Sequence, residues 1–209
     1  MANQENRSQT AALIRTLIED VIAARERLEA VDTQTARRDV VRASLAAMEG
    51  EVWLAREHVR DSLRTLDELT PLADLALRET TYQVTDGGKL IEQTRSIALP
   101  TAVRLIVAQA QIICPDLAVD FAGTGWESLR SAVAIRNRIT HPRPGRDLNV
   151  TNDELRIIEI GLNWLFATIN YVMASTNLIL VEARKFIDEL LTGDPAALKE
   201  YKKALERGE

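Results

Sequence analysis

The sequence predicts an all-α fold, a helical bundle, and three observations carry that reading. Ala, Leu, Ile, Arg and Glu are plentiful while aromatic residues and glycine are scarce, and such straight or small side chains lose little freedom in a helix. Apolar residues recur at steps of three and four along most of the chain. Proline, glycine and N-capping residues fall between those runs, where helices start and stop.

Ile14, Leu17, Ile18, Val21 and Ile22 share one face of a first amphipathic helix over about 10–31. After a turn at 32–35, Val41, Leu45, Met48, Val52, Ala55 and Val59 form a heptad-like seam continuing loosely to Leu69. That seam predicts a helical hairpin with the first helix, or a helix used in dimerisation. Thr70 and Pro71 read as the N-cap and first-turn proline of a short helix ending near Arg78. Two runs, 80–85 and 89–94, flank Asp86-Gly87-Gly88 and predict one small β-hairpin within 80–95. Two strands do not set the fold class, and a double glycine without a following GK[ST] reads as a turn rather than a phosphate loop.

Pro100 opens a further helix that stops near Cys114-Pro115. Thr124 with Glu127 has the S/T-x-x-E spacing of a capping box, and Pro142 bounds the helix that follows. A second such pair, Thr151 with Glu154, starts the longest helix, which reaches about Leu191 before Gly193. Asp194-Pro195 then begins a charged terminal helix. The expected organisation is an amphipathic helix over 1–33 that packs on or extends the bundle, a helical domain over 34–191, and a charged helix over 194–209.

Segment 160–181 has no charged residue and is long enough to span a bilayer. It also carries Asn163, Asn170 and Asn177 at seven-residue intervals, with Thr168, Ser175 and Thr176, polar groups that are costly in hydrocarbon. The expectation is therefore no membrane span but a helix buried on nearly all sides, its asparagine stripe inside the bundle or across a dimer interface.

A single cysteine, Cys114, excludes an internal disulfide and any CxxC-type zinc site within one chain. With a polar N-terminus lacking the pattern of a secretory signal, this leads to an expectation of a cytoplasmic protein. The net charge of −5 argues against indiscriminate attraction to nucleic acid, which rests on phosphate neutralisation by Lys and Arg. Between Arg130 and Arg146, however, lie Arg130, Arg136, Arg138, Arg143 and Arg146 with no acidic residue. A focused anion-facing patch is expected there.

On a helical wheel with Arg136 at zero, Trp126, Leu129, Ala132, Val133, Ile135 and Ile139 all fall within about 100° of it. A guanidinium in the middle of an apolar stripe needs a partner, because it cannot lose its charge and an unpaired buried charge is strongly unfavourable. Asn137, Arg130 and His141 cluster on one flank, at roughly 100°, 120° and 140°. His141 precedes Pro142, so its backbone leaves the helical region and its ring lies at a helix end, where the dipole favours protonation while neighbouring arginines oppose it.

The run Arg136-Asn137-Arg138-Ile139-Thr140-His141-Pro142 resembles the R-x4-6-H active-site motif of the HEPN ribonuclease family, including the asparagine after the arginine and a helix that ends just beyond the histidine. The identity covers seven residues, and the order of helices over about 36–191 is compatible with the family's small helical domain, the N-terminal helix being an addition. The other histidine, His58, has no arginine at the required spacing and reads as a helix-surface residue.

The resemblance implies a HEPN-type bundle and a homodimer in which two motifs face a common cleft. It also implies RNA as the substrate, with no metal or other cofactor. RNA supplies its own nucleophile in the 2′-hydroxyl, so the protein needs a proton-transfer group and a positive charge for the phosphorane. On this reading His141 transfers protons, Arg136 stabilises developing negative charge, and Asn137 orients the imidazole or a phosphate oxygen. Arg130, Arg138 and Arg143 hold the flanking RNA backbone. A growth-arrest toxin or anti-phage effector is expected, with an antitoxin or other regulatory protein as partner. Family members inactivated by a nucleotidyltransferase carry a tyrosine two positions after the histidine, where this chain has Arg143, which argues against that mode of control. The competing expectation is a non-catalytic RNA- or nucleotide-binding module or a dimerising scaffold, with Arg136 in a buried ion pair, for example with Glu159.

Overall fold

The computed structural model describes residues 2–191 and the isolated positions 199 and 203; beyond those two positions, the charged helix expected over 194–209 lies outside the described residues. The chain runs through α1 (Ala2–Ala30), α2 (Gln34–Thr65), α3 (Pro71–Leu77), β1 (Thr80–Val84), β2 (Leu90–Thr94), α4 (Leu99–Ile113), α5 (Thr124–Thr140), a 3-10 turn (Gly145–Leu148) and α6 (Asn152–Leu191). Helix dominates, and the strands form one antiparallel hairpin with Tyr82 opposite Glu92 and Val84 opposite Leu90. Residues of β2 are exposed throughout, so the hairpin projects from the bundle and contributes little to the core.

Helix α2 is the axis on which α1, α4, α5 and α6 pack. Its seam of Val41, Leu45, Met48, Val52, Ala55 and Val59 is buried along its whole length, and Leu63 extends it by one more turn. Each Val, Leu and Met of this seam contributes roughly 1.5–3 kcal/mol by leaving water, which makes it the main source of cohesion. Thr33 and Thr70 cap α2 and α3 by accepting from the Ala36 and Ala73 N–H groups. Helix α1 packs on α2 at Gly50, where the missing side chain leaves room for Leu17. Ile22, expected on the apolar face, is instead 50% exposed, because Val21 and Ala24 take the contact with the bundle.

Two expectations for α6 and its neighbour are corrected. First, α6 is buried along one side only, through Ile158, Leu162, Leu165, Thr168, Ile169, Val172 and Thr176, while Asn163, Asn170 and Asn177 are exposed. The stripe is not inside the bundle. A 40-residue helix is about 60 Å long, well beyond the 17-residue α5 beside it, so Leu178, Val181 and Ile187 outrun their partners and are 58%, 64% and 53% exposed. By length and apolarity Asn152–Asp188 could cross a membrane, and 28% of its most apolar window is buried. Second, His58 is not a free surface residue: its Nε2 lies 2.7 Å from Thr176 Oγ1. The Thr176 Oγ1 also lies within hydrogen-bond reach of the Val172 and Met173 carbonyls, so the imidazole joins a polar contact inside the α2–α6 junction.

Helices α5 and α6 approach most closely at Gly161, where a Cβ would stand 2.9 Å from Leu129 N and 3.0 Å from Leu129 Cα. Backbone cannot give way as a flexible side chain does, so the expected gain in helix propensity from Gly161→Ala is overturned by overpacking. Chemical denaturation of Gly161→Ala is expected to show a loss of about 1–3 kcal/mol. Unchanged stability would mean that α5 and α6 are not in this contact. A pH-dependent effect is expected from Glu51, which is 4% exposed with no ion pair or hydrogen bond to its carboxylate among the described residues. Burial raises its pKa, so the folded state binds the proton more tightly than the unfolded state. Its contribution to stability is then greatest at low pH and is lost as pH rises through the folded pKa. Glu51→Gln should accordingly raise the melting temperature at pH 7, and the difference from wild type should shrink toward about pH 4. Identical melting curves at both pH values would contradict this.

Candidate functional site

The motif helix α5 is positioned at both ends, though not as its sequence suggests at the first. Thr124 is its first helical residue rather than its cap, and the N-cap is Gly123 with no side-chain bond. The Thr124–Glu127 capping box therefore does not form. Asp120 takes its place, accepting from the Ala122 and Gly123 N–H groups at 2.7 and 3.2 Å, the local turn chemistry that competes with a cap. Trp126 then anchors the first turn, edge-on to Phe121 at 4.9 Å and beside Trp164 at 5.6 Å between ring centroids. Arg104 lies 4.8 and 5.0 Å from the Phe121 and Trp126 rings, a cation–π cover on the cluster.

At the other end His141 is the C-cap, its N–H donating to the Asn137 carbonyl at 3.0 Å with φ −122° and ψ 58°. Pro142 prevents a further turn. The structure thus ends the helix at the histidine itself, with the ring exposed beside exposed Asn137 one turn earlier.

Arg136 rises between buried Ile135 and Ile139 and is itself half-buried, with a side chain 30% exposed. Its Nη2 donates to Glu49 Oε1 on α2. The partner expected from sequence, Glu159, pairs instead with Arg25 of α1 at 3.3 Å. Glu49 is the residue that sequence reasoning missed. It lies one position beyond the α2 seam, and nothing in its own spacing signals that α5 docks across it.

The remaining arginines divide into two groups. Arg138, expected to contact RNA, has both terminal nitrogens engaged within the chain. Nη1 donates to the Asp147 and Asn149 carbonyls at 2.7 and 2.9 Å, and Nη2 donates to Glu154 Oε1 at 2.6 Å. Glu154 also closes the predicted capping box of α6, accepting from the Thr151 N–H at 2.9 Å while its own N–H donates to Thr151 Oγ1 at 3.2 Å. From the far side, Arg38 donates to the Leu148 carbonyl at 3.0 Å and Arg37 to the Val150 carbonyl at 2.9 Å. These three arginines clamp the loop that follows His141. By contrast Arg130, Arg143 and Arg146 are exposed, and among the described residues their side chains make no hydrogen bond or ion pair.

The site is thus one half-buried arginine held by a carboxylate and an exposed amide and imidazole one turn apart, with three further exposed arginines on α5 and the loop that follows it. Such a set can bind a phosphate and move a proton at its edge. Among the described residues no cluster of three His, Cys, Asp or Glu side chains forms a metal-binding group.

Arg138→Ala should cost about 2–3 kcal/mol in chemical denaturation, since it leaves Glu154 and two carbonyls without their shared donor. Arg138→Lys should recover only part of that loss, because one ammonium cannot reproduce the forked geometry. A silent Arg138→Ala would show that the loop is held without it.

Comparison with known proteins leaves the resemblance of the motif to stand alone: no family model matches the chain, and neither a curated protein nor a solved structure matches it.

Proposed function

We propose that this protein is a metal-independent endoribonuclease of HEPN type that cleaves RNA by attack of the 2′-hydroxyl on the adjacent phosphodiester. The observation that carries the reading is the joint placement of Arg136, Asn137 and His141 at the solvent-reached end of α5. Arg136 faces the phosphate and stabilises the charge that develops on its oxygens. His141 takes the 2′-hydroxyl proton or protonates the leaving 5′-oxygen, and Asn137 orients the ring or a phosphate oxygen. Glu49 is a positioning residue that fixes the Arg136 fork. Arg130 and Arg143 hold the flanking backbone, with Arg146 beside them, while Arg138 acts on the site only through the loop it anchors. The products are a 2′,3′-cyclic phosphate and a 5′-hydroxyl.

The same reading makes the protein a homodimer with two motifs facing one cleft, acting in the cytoplasm as a growth-arrest or anti-phage effector under the control of a regulatory protein. The exposed asparagine stripe of α6 supports self-association through a second copy rather than contact with lipid, because amides pair well across helices and poorly with hydrocarbon. One observation favours a different reading: Glu49 already neutralises Arg136, as expected of a binding module or scaffold that does no chemistry.

Catalysis and scaffolding separate in one experiment. Cleavage of single-stranded RNA should resist chelators, fail on a 2′-deoxy substrate and yield cyclic-phosphate ends. It should fall by at least about 100-fold in His141→Ala and Arg136→Ala. The Arg136–Glu49 pair is partly solvent-screened, so Arg136→Ala should cost less than about 1 kcal/mol of stability. Loss of activity without loss of fold is the expected pattern. Undiminished cleavage in His141→Ala, or none by wild type on any RNA, would leave only the module or scaffold.

A further inference from the structure

A cavity of about 300 Å³ opens between α2, the base of the hairpin and the start of α4, with Glu49, Arg56, Glu79, Ser96 and Leu99 in its wall, so it adjoins the Arg136–Glu49 pair. Two independent features of this wall are short of hydrogen-bond partners. Arg56 is 8% exposed, and its Nε and Nη1 are buried with no hydrogen-bond acceptor. Nη1 lies 2.9 Å from Glu79 Oε2, which balances the charge, but the N–H is not directed at that oxygen. Buried donors are normally satisfied, so a guanidinium left this way is set for an acceptor from outside. The second feature is the first turn of α4. Its N-cap, Ala98, has no side-chain acceptor to offer, and Pro100 removes one of the free donors. Of the donors that remain, the Leu99 N–H belongs to a residue of the wall, at the positive end of a 15-residue helix.

Both features attract the same kind of ligand, and we infer that this cavity is an oxyanion site that takes the phosphate group of a nucleotide or of an RNA backbone. The geometry combines a fork of guanidinium donors with helix N-terminal amides, which is how proteins hold phosphate without a metal. Two carboxylates in the wall do not forbid it. Glu49 is bonded to Arg136, and Glu79 Oε1 accepts from the Ile97 N–H at 2.8 Å while Oε2 faces Arg56. Glu79 is thus the internal counter-ion that an incoming phosphate displaces from Arg56. Arg56 follows Glu49 by seven residues, which puts its guanidinium-bearing position roughly 10 Å along α2 from the Glu49 end of the same cavity. The site does not depend on the ribonuclease reading and stands or falls by binding alone.

Calorimetric titration of the full chain tests it with three probes: inorganic phosphate, adenosine 5′-monophosphate, and a 2′-O-methyl oligoribonucleotide without terminal phosphates. Saturable binding of phosphate or the monophosphate is expected. Ala98→Asp places a carboxylate on the first turn of α4, so it should raise the melting temperature while weakening binding at least about tenfold. Glu79→Gln keeps an acceptor for Ile97 but removes the competing charge, and should tighten binding. Competition by the oligonucleotide assigns the site to backbone phosphates, and lack of competition assigns it to free or terminal ones. No binding of any probe would overturn the inference, as would unaltered binding in Ala98→Asp or no tightening in Glu79→Gln.

Discussion

A guanidinium cannot shed its charge at any physiological pH, and α5 delivers one, Arg136, from between two buried isoleucines. Its partner, Glu49, comes from the most deeply packed helix of the molecule. At their level of exposure the pair adds little to stability. What it fixes is direction: the fork is tied to α2, so α5 must dock in the one register that brings position 136 across position 49. Close approach of α6 at Gly161 and the ring cluster around Trp126 enforce that register along the earlier turns of α5. The stability of the α5 junction comes from apolar packing, and the orientation of its polar end comes from a weak ion pair resting on that packing.

The clamp on the following loop arises from a different need. Carbonyls of residues 147–150 have left one helix and not entered the next, and backbone acceptors without partners are costly when water is excluded. Arg37, Arg38 and Arg138 supply donors from two helices, and Arg37 is itself fixed by two 2.6 Å contacts with Asp32. The Arg37 guanidinium holds the Asp32 carboxyl below the usual aspartate range. Arginines that look alike in the sequence are thereby sorted. Those near the loop carbonyls are structural, and those beyond reach of any acceptor face solvent.

Much of the architecture is legible in the sequence because it follows from periodicity and local chemistry. The α2 seam, the turn at 32–35, the Thr70–Pro71 helix start, the presence of the hairpin and the Thr151–Glu154 box all depend on neighbours a few residues apart, which a linear reading captures. Failures occur where a choice between partners is made in space. Thr124 is not the cap because the helix begins one residue earlier than the box requires: the Glu127 N–H already donates to the Gly123 carbonyl, and Asp120 holds the preceding turn through the Ala122 and Gly123 N–H groups. Glu49, not Glu159, met Arg136 because helix docking decided between carboxylates that the sequence ranks equally. His58, with no motif around it, reached Thr176 across 118 residues. The end of α5 at His141 was readable from Pro142, whereas the use of Arg138 was not, since its acceptors are backbone carbonyls with no residue signature.

Helix α6 carries a face that the rest of the described chain does not cover. Its uncharged stretch continues past Thr176, the last residue that the bundle buries, leaving Leu178 and Val181 exposed, and its outward face carries exposed Tyr171 and the asparagines. A face of that composition is poorly matched to water, which favours charge, and poorly matched to lipid, which rejects unpaired amides. Another helix of the same kind suits it better: apolar side chains remove each other from water, while amides recurring every seven residues meet their own counterparts and fix the register. In the dimer proposed here, such a seam would set how far apart two copies of α5 stand. The separation of the two His141 rings would then be governed by α6, a helix that contributes no residue to either motif.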